Sequence, residues 1–202
     1  FIPREKLSAI TAELIGVEIE EAERSIDGLI ESGRLMFEEI AGCRACYLPE
    51  LYEAETAAAE RLAAMCGSTV RASADTDAVI ARLEKQQKIK YAPLQRQTLE
   101  LALNNQLTVI TGGPGTGKTT SIRAIIALFE DMGLKTLLTA PTGRAAKRMS
   151  DLSGCEAVTV HRLLEAKFDD DGDRVIFNKN EDDPLECGAV ILDEASMVDI
   201  VL

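Results

Sequence analysis

Between an apolar run, Leu107–Val109, and a long amphipathic stretch that begins at Lys118, the chain reads ITGGPGTGKTTS from Ile110 to Ser121. The spacing G-x-x-x-x-G-K-S/T, carried by Gly112, Gly117, Lys118 and Thr119, constrains the fold strongly. It has a mechanism only as a tight loop that leaves a strand and opens a helix. Glycines let the backbone wrap an anion, successive N–H groups point inward, and the helix N-terminus adds partial positive charge. In that arrangement Gly113, Pro114, Gly115, Thr116, Gly117, Lys118, Thr119 and Thr120 surround the phosphates of a nucleotide. Lys118 reaches the β- and γ-phosphates, and the Thr119 hydroxyl ligates Mg²⁺.

The residues around the loop agree with an α/β fold. Helix Leu94–Asn104 is expected before strand Leu107–Thr111, and helix Lys118–Met132 after the loop, stopped by Gly133. Strand Lys135–Ala140, helix Gly143–Leu152, short strand Val158–Val160 and strand Ala189–Asp193 follow. Strands alternating with helices predict a parallel sheet covered on both faces, with ligands at the carboxyl ends of the strands.

The first part of the chain reads differently. Pro3 suits the start of a helix reaching about Ile15, with Leu7, Ile10 and Leu14 on one face. A second helix, Ile19 to Ser32, places Ala22, Ile26, Leu29 and Ile30 inward and ends at Gly33. Leu35–Ile40 and Ala45–Leu48 flank the turn Ala41-Gly42-Cys43 as a hairpin. Two helices and a hairpin predict a small winged-helix-like module. Its second helix is acidic (Glu20, Glu21, Glu23, Asp27, Glu31), which suits a structural or protein-contact role better than a place among phosphates. An Ala-rich helix from Leu51 to about Cys66 and a helix Asp75–Gln87, capped by Asp75, connect this module to the α/β region.

Net charge is −12, and residues 1–90 and 91–202 each carry 11 basic and 17 acidic side chains. The exception is local. Thr139–Arg162 holds Arg144, Lys147, Arg148 and Arg162 against Asp151 and Glu156, a strip suited to tracking phosphates. No apolar run approaches the ~18 residues of a membrane span, and FIPREKL is no signal peptide. Five scattered cysteines predict reduced thiols and a cytoplasmic protein. Cys43-Arg44-Ala45-Cys46 lacks the second pair a zinc site needs. Asp169-Asp170-Asp171-Gly172-Asp173 lacks the spacing of a calcium loop and reads as a solvated turn, with Arg174–Phe177 as its return strand.

A nucleotide loop alone defines only a binder. Ala189-Val190-Ile191-Leu192-Asp193-Glu194 supplies the second element: a strand delivers Asp193 to the Mg²⁺ held by Thr119, and Glu194 polarises a water for attack on the γ-phosphate. With Lys118, these two carboxylates are the catalytic candidates.

Taken together, GGPGTGKTT at 112–120, TAPTGRAAKRM at 139–149, TVHRLL at 159–164 and DEASM at 193–197 resemble motifs I, Ia, Ib and II of superfamily 1B DNA helicases, most closely the RecD family. YLPELYEAE at 47–55 is similar to the region ahead of the motor in the longer RecD-like proteins that work without RecB and RecC. The resemblance implies a RecA-like P-loop NTPase domain over 91–202, preceded by the winged-helix-like module 1–52 and a helical connector 53–90. It implies a 5′→3′ DNA helicase that hydrolyses Mg·ATP to move along single-stranded DNA in recombination and repair. RecB- and RecC-like subunits are the less favoured partners.

By the same resemblance Gln95 reads adenine, for which a side-chain amide offers both a donor and an acceptor; Gln97 is the alternative register. Pro141, Thr142, Arg144, Lys147 and Arg148 in motif Ia, and Thr159 and His161 in motif Ib, contact single-stranded DNA. The γ-phosphate-sensing glutamine, the arginine finger and the second RecA-like domain come after DEASM in that family. The chain is therefore read as a fragment that is nearly inactive alone. Two other readings stay open: a non-helicase P-loop ATPase with a partner-binding helical module, and a winged-helix DNA-binding protein switched by nucleotide.

Overall fold

The computed structural model describes residues 1–68, 76–113, 116–169, 175–200 and 202, and the chain divides into two compact units, Phe1–Ala63 and Ala64–Ile200. No helix among the described residues is long and apolar enough to cross a membrane.

In the first unit a two-residue strand β1 (Ile2–Pro3) leads into α1 (Arg4–Ile15) and α2 (Ile19–Glu31). Strands β2 (Met36–Ile40) and β3 (Cys43–Tyr47) come next, and then α3 (Pro49–Cys66), which runs on into the second unit. The helices stop where the glycines of the sequence put the stops: Gly16 and Gly33 take φ of 73° and 70°, and their N–H groups bond back to Ala12 and Ile30. The hairpin is one residue tighter than expected. Ile40 stands opposite Cys43, so the turn is Ala41-Gly42, both at positive φ as in a type I′ turn. β1 lies along the free side of β3, giving the order β1-β3-β2; a two-residue strand is too short to show a period.

The expected inner face of α1 is corrected. Leu14 is 82% exposed and Ile10 also faces out, while Ser8 and Ala12 are the buried positions. Small side chains allow α1 to approach α2, where Ala22 and Ile26 are buried, and the Ser8 hydroxyl donates to the Arg4 carbonyl, so its burial leaves no polar group unpaired. Arg4 pairs with Asp27 across the two helices at 2.7 Å. Cys43 and Cys46, three apart on one strand, point to opposite faces. Among the described residues no group of three or more His, Cys, Asp or Glu side chains is placed to hold a metal ion.

The second unit contains α4 (Thr76–Gln87), α5 (Pro93–Asn104), α6 (Lys118–Asp131), β4 (Thr136–Ala140), α7 (Gly143–Ser153), β5 (Ala157–Thr159), α8 (Val160–Leu163), β6 (Ala166–Phe168), β7 (Val175–Phe177) and β8 (Ala189–Leu192). Strands β5, β4 and β8 form a parallel sheet in that order, and β6 and β7 form a separate hairpin. The expected Asp75 cap, residues 170–173 of the acidic turn and Arg174 of the return strand lie outside the described residues.

α6 is the axis of this unit. One side of it, Ala124, Ile125, Leu128 and Phe129, packs with Val79, Ile80 and Leu83 of α4, Tyr91, and Leu99 and Leu103 of α5. Ile126 packs against Leu138 of β4 and Met149 of α7. A helix apolar on most of its circumference is one buried from several sides. Ion pairs brace the rim: Arg82 with Asp131, and Arg96 with both Asp77 and Glu84. Leu128 is fully buried in the larger cluster. Leu128→Ala is expected to destabilise the protein by about 2–5 kcal/mol, read as a lowered urea midpoint with unchanged slope.

The strand expected at Leu107–Thr111 is not formed. A strand exists by its ladder, and among the described residues β8 pairs with β4 alone. Ile110 rests on the core cluster while Val109 is 75% exposed. Leu107 and Ile110 are half-buried, so the apolar character of this stretch reports partial burial, with no ladder pairing behind it.

Candidate functional site: a phosphate loop facing two carboxylates

The loop opens α6 as its sequence requires. Gly117 is the residue before the helix and takes φ 89°, a left-handed conformation that glycine enters without steric cost. Gly112 is demanded by close approach, since a Cβ there would sit 2.6 Å from Thr116 Oγ1. The Thr116 hydroxyl donates to the Gly113 carbonyl at 2.9 Å, and Lys118 Nζ donates to the Gly112 carbonyl at 2.6 Å. Lys118 thus folds over its own loop. The first turn of α6 holds no acidic residue, so the helix N-terminus keeps its attraction for an anion. Pro114 and Gly115 lie outside the described residues.

The acidic pair comes from the end of β8. The Asp193 N–H bonds to the Thr139 carbonyl at 3.0 Å, which extends the pairing of β8 with β4 and fixes the direction of Asp193. Asp193 Oδ1 accepts the Glu194 N–H at 3.0 Å. Glu194 itself has φ 54° and ψ 39°, a left-handed backbone that a side-chain-bearing residue adopts at a cost. One cleft brings these groups together: Gly112, Gly113, Thr116, Gly117, Lys118 and Thr119 from the loop and α6, Asp193 and Glu194 from β8, and Arg123 and Arg148 as further cations. The donor set fits Mg²⁺. A hydroxyl and one carboxylate are hard oxygen ligands, and this ion keeps several of its waters.

Gln95 joins the loop. It is half-buried in the first turn of α5, its Oε1 accepts the Ala92 N–H at 3.0 Å, and its Nε2 lies 3.8 Å from where a Cβ of Gly117 would be. Gln97, the alternative, is exposed.

The remaining candidates gather at the carboxyl edge of the sheet but do not act alike. Thr142 and Thr159 are helix caps: their hydroxyls accept the N–H of Ala145 and of Arg162, each at 3.2 Å. β4 and β5 run side by side, with Ala140 opposite Thr159, so the two caps are neighbours. The expected strand Val158–Val160 ends one residue early because Thr159 starts α8 there. Pro141 precedes the cap of α7, Arg144 and Lys147 are exposed on that helix, and the His161 ring lies 6.3 Å from that of Phe177. Arg148 is different. It turns into the nucleotide cleft, with Nη1 4.0 Å from Glu194 Oε1. Sequence reasoning misses Arg123 in this cleft, and its place one turn past Thr119 on α6 is the signal that could have found it.

Fold and loop define the class: a P-loop nucleotide-binding α/β domain with a RecA-like arrangement. Residues 95–202 match the AAA domain family, and the chain belongs to that family in its RecD-like form. It is 30% identical over 207 aligned residues to the ATP-dependent RecD2 DNA helicase of Deinococcus radiodurans, covering 98% of this chain and 28% of that protein. It is 36% identical over 131 residues to the RecBCD enzyme subunit RecD of Mycobacterium tuberculosis, covering 54% of this chain and 22% of the relative. The RecBCD enzyme subunit RecD of Buchnera aphidicola matches at 32% over 177 residues, 77% of this chain and 28% of that subunit. The chain spans about a quarter of the length of these relatives.

Proposed function

We propose that these residues are the ATP-binding part of a 5′→3′ DNA helicase that couples hydrolysis to movement along single-stranded DNA in recombination and repair. The observation that carries the reading is the shared cleft: the loop with Lys118 and Thr119 faces Asp193 and Glu194, and the helix that closes the cleft, α7, also carries exposed Arg144 and Lys147. A domain that binds nucleotide through the second half of one helix and polynucleotide through the first half has a physical path between them. Thr119 and Asp193 hold Mg²⁺, which when bound spreads the charge of the β- and γ-phosphates. Lys118 contacts the same phosphates, Glu194 orients the attacking water, and Gln95 turns its amide to the adenine edge.

Hydrolysis by the 202 residues alone is expected to be slow. The arginine finger of the resembled family comes after the motifs seen here, and such a group contributes ~10³–10⁵ in rate. The second RecA-like domain that carries it is the natural partner of this one.

Single-stranded DNA lies across Pro141–Lys147 and Thr159–His161, held through phosphates. N–H groups at the start of α7 add to the charges of Arg144 and Lys147. Arg144→Ala with Lys147→Ala is expected to lower the slope of log affinity against log salt by about one to two on single strands. An unchanged slope in fluorescence-anisotropy titrations removes this surface from the interface.

A further inference from the structure

Helical spacing puts Arg148 on the DNA track, four residues from Arg144, yet it lines the nucleotide cleft beside Met149, Leu152 and Ser153, and its guanidinium faces the Glu194 carboxylate at 4.0 Å. We propose that Arg148 binds the terminal phosphate of ATP, and that before ATP arrives the Glu194 carboxylate holds that phosphate's place.

Three observations lead there. The planar fork of an arginine fits a phosphate as well as a carboxylate, so one guanidinium can exchange one for the other. The existing pair is easy to exchange: the two side chains are 67% and 44% exposed and meet only at the limit of ion-pair distance, where solvent screening leaves little net attraction. Finally, Glu194 reaches Arg148 from a left-handed backbone at the end of β8. That geometry sets its carboxylate on the side of the cleft where, in the proposed function on which this inference rests, the γ-phosphate and the attacking water meet.

The consequence is a discrimination between nucleotides. ADP brings no γ-phosphate, so Arg148 stays with Glu194. ATP takes Arg148 and leaves the Glu194 carboxylate free to accept a proton-donating water. A contact made in the ground state raises affinity without lowering the chemical barrier, so Arg148 does not replace the arginine finger.

The test uses binding, not turnover. The 202-residue chain, Arg148→Ala, Arg148→Lys, Glu194→Gln and the double variant Arg148→Ala/Glu194→Gln are titrated with Mg·ADP and Mg·ATPγS by calorimetry. Arg148→Ala is expected to weaken ATPγS about tenfold or more while leaving ADP unchanged, the size of one charge-assisted hydrogen bond. Arg148→Lys recovers part of the loss. Glu194→Gln tightens ATPγS severalfold when Arg148 is present and gains nothing in the Arg148→Ala background. Equal losses for both nucleotides, no loss for either, or an equal Glu194→Gln gain in both backgrounds, which is simple repulsion between carboxylate and phosphate, overturns the proposal and leaves the P-loop assignment standing. Wild type that binds neither nucleotide brings down both.

Discussion

Lys118→Ala is expected to weaken binding of Mg·ADP and Mg·ATP by about a hundredfold while the protein stays folded. The ammonium group is exposed and bonds to the Gly112 carbonyl of its own loop, so truncation takes nothing from the core around α6. What is lost is a cation at the centre of a phosphate cradle. A charge-assisted bond is worth about 1.5–3 kcal/mol, and two phosphates share this one donor. At about 1.4 kcal/mol per tenfold, a loss near the upper end of that range gives the expected factor. Calorimetric titration reads the affinity, and a thermal melt on the same sample shows that the fold is kept. Wild-type ADP affinity in a folded variant would end the assignment of this loop.

The second large effect is on chemistry. In DNA-stimulated hydrolysis by the protein carrying its whole motor, Glu194→Gln is expected to lower the rate by about 10²–10⁴-fold, the usual contribution of a positioned base. Glutamine keeps the shape and a hydrogen-bond acceptor but cannot receive the proton. Mg·ATP binding is retained, because the metal ligands Thr119 and Asp193 and the cradle are untouched. Phosphate release and ATPγS affinity, measured side by side, separate the two steps. A variant that hydrolyses at the wild-type rate assigns the base elsewhere.

Much of the second unit is legible from residue order alone. The helix after the loop starts at Lys118 and stops before Gly133 because the loop glycine and the terminal glycine both occupy left-handed positions that other residues resist. Asp193 and Glu194 can be located because a run of four apolar residues ending in carboxylates is what a strand emerging at a sheet edge looks like, although Val190 and Leu192 on one face of β8 are exposed. The failures have a common cause, which is tertiary. Periodicity gives α1 an apolar face but not the knowledge that α2 covers the opposite one, so Leu14 is exposed and Ser8 buried. Leu107–Thr111 has strand composition, but pairing depends on a neighbour that local sequence does not encode. Arg144 and Arg148 share a helical face by spacing, yet the cleft opens only toward the second half of α7, where Met149, Leu152 and Ser153 lie. Helical spacing sorts side chains by angle around the axis, and their distribution along it decides which arginine meets nucleotide.

Glu194 sits where the backbone would rather hold another residue. At φ 54°, glycine or asparagine would relieve a conformational cost of roughly 1–3 kcal/mol, so selection for thermostability alone would erase the carboxylate. A laboratory search that screens variants only for heat resistance is therefore biased toward losing the base. A survey of stabilised descendants would find this position changed in proteins that keep their nucleotide and no longer spend it.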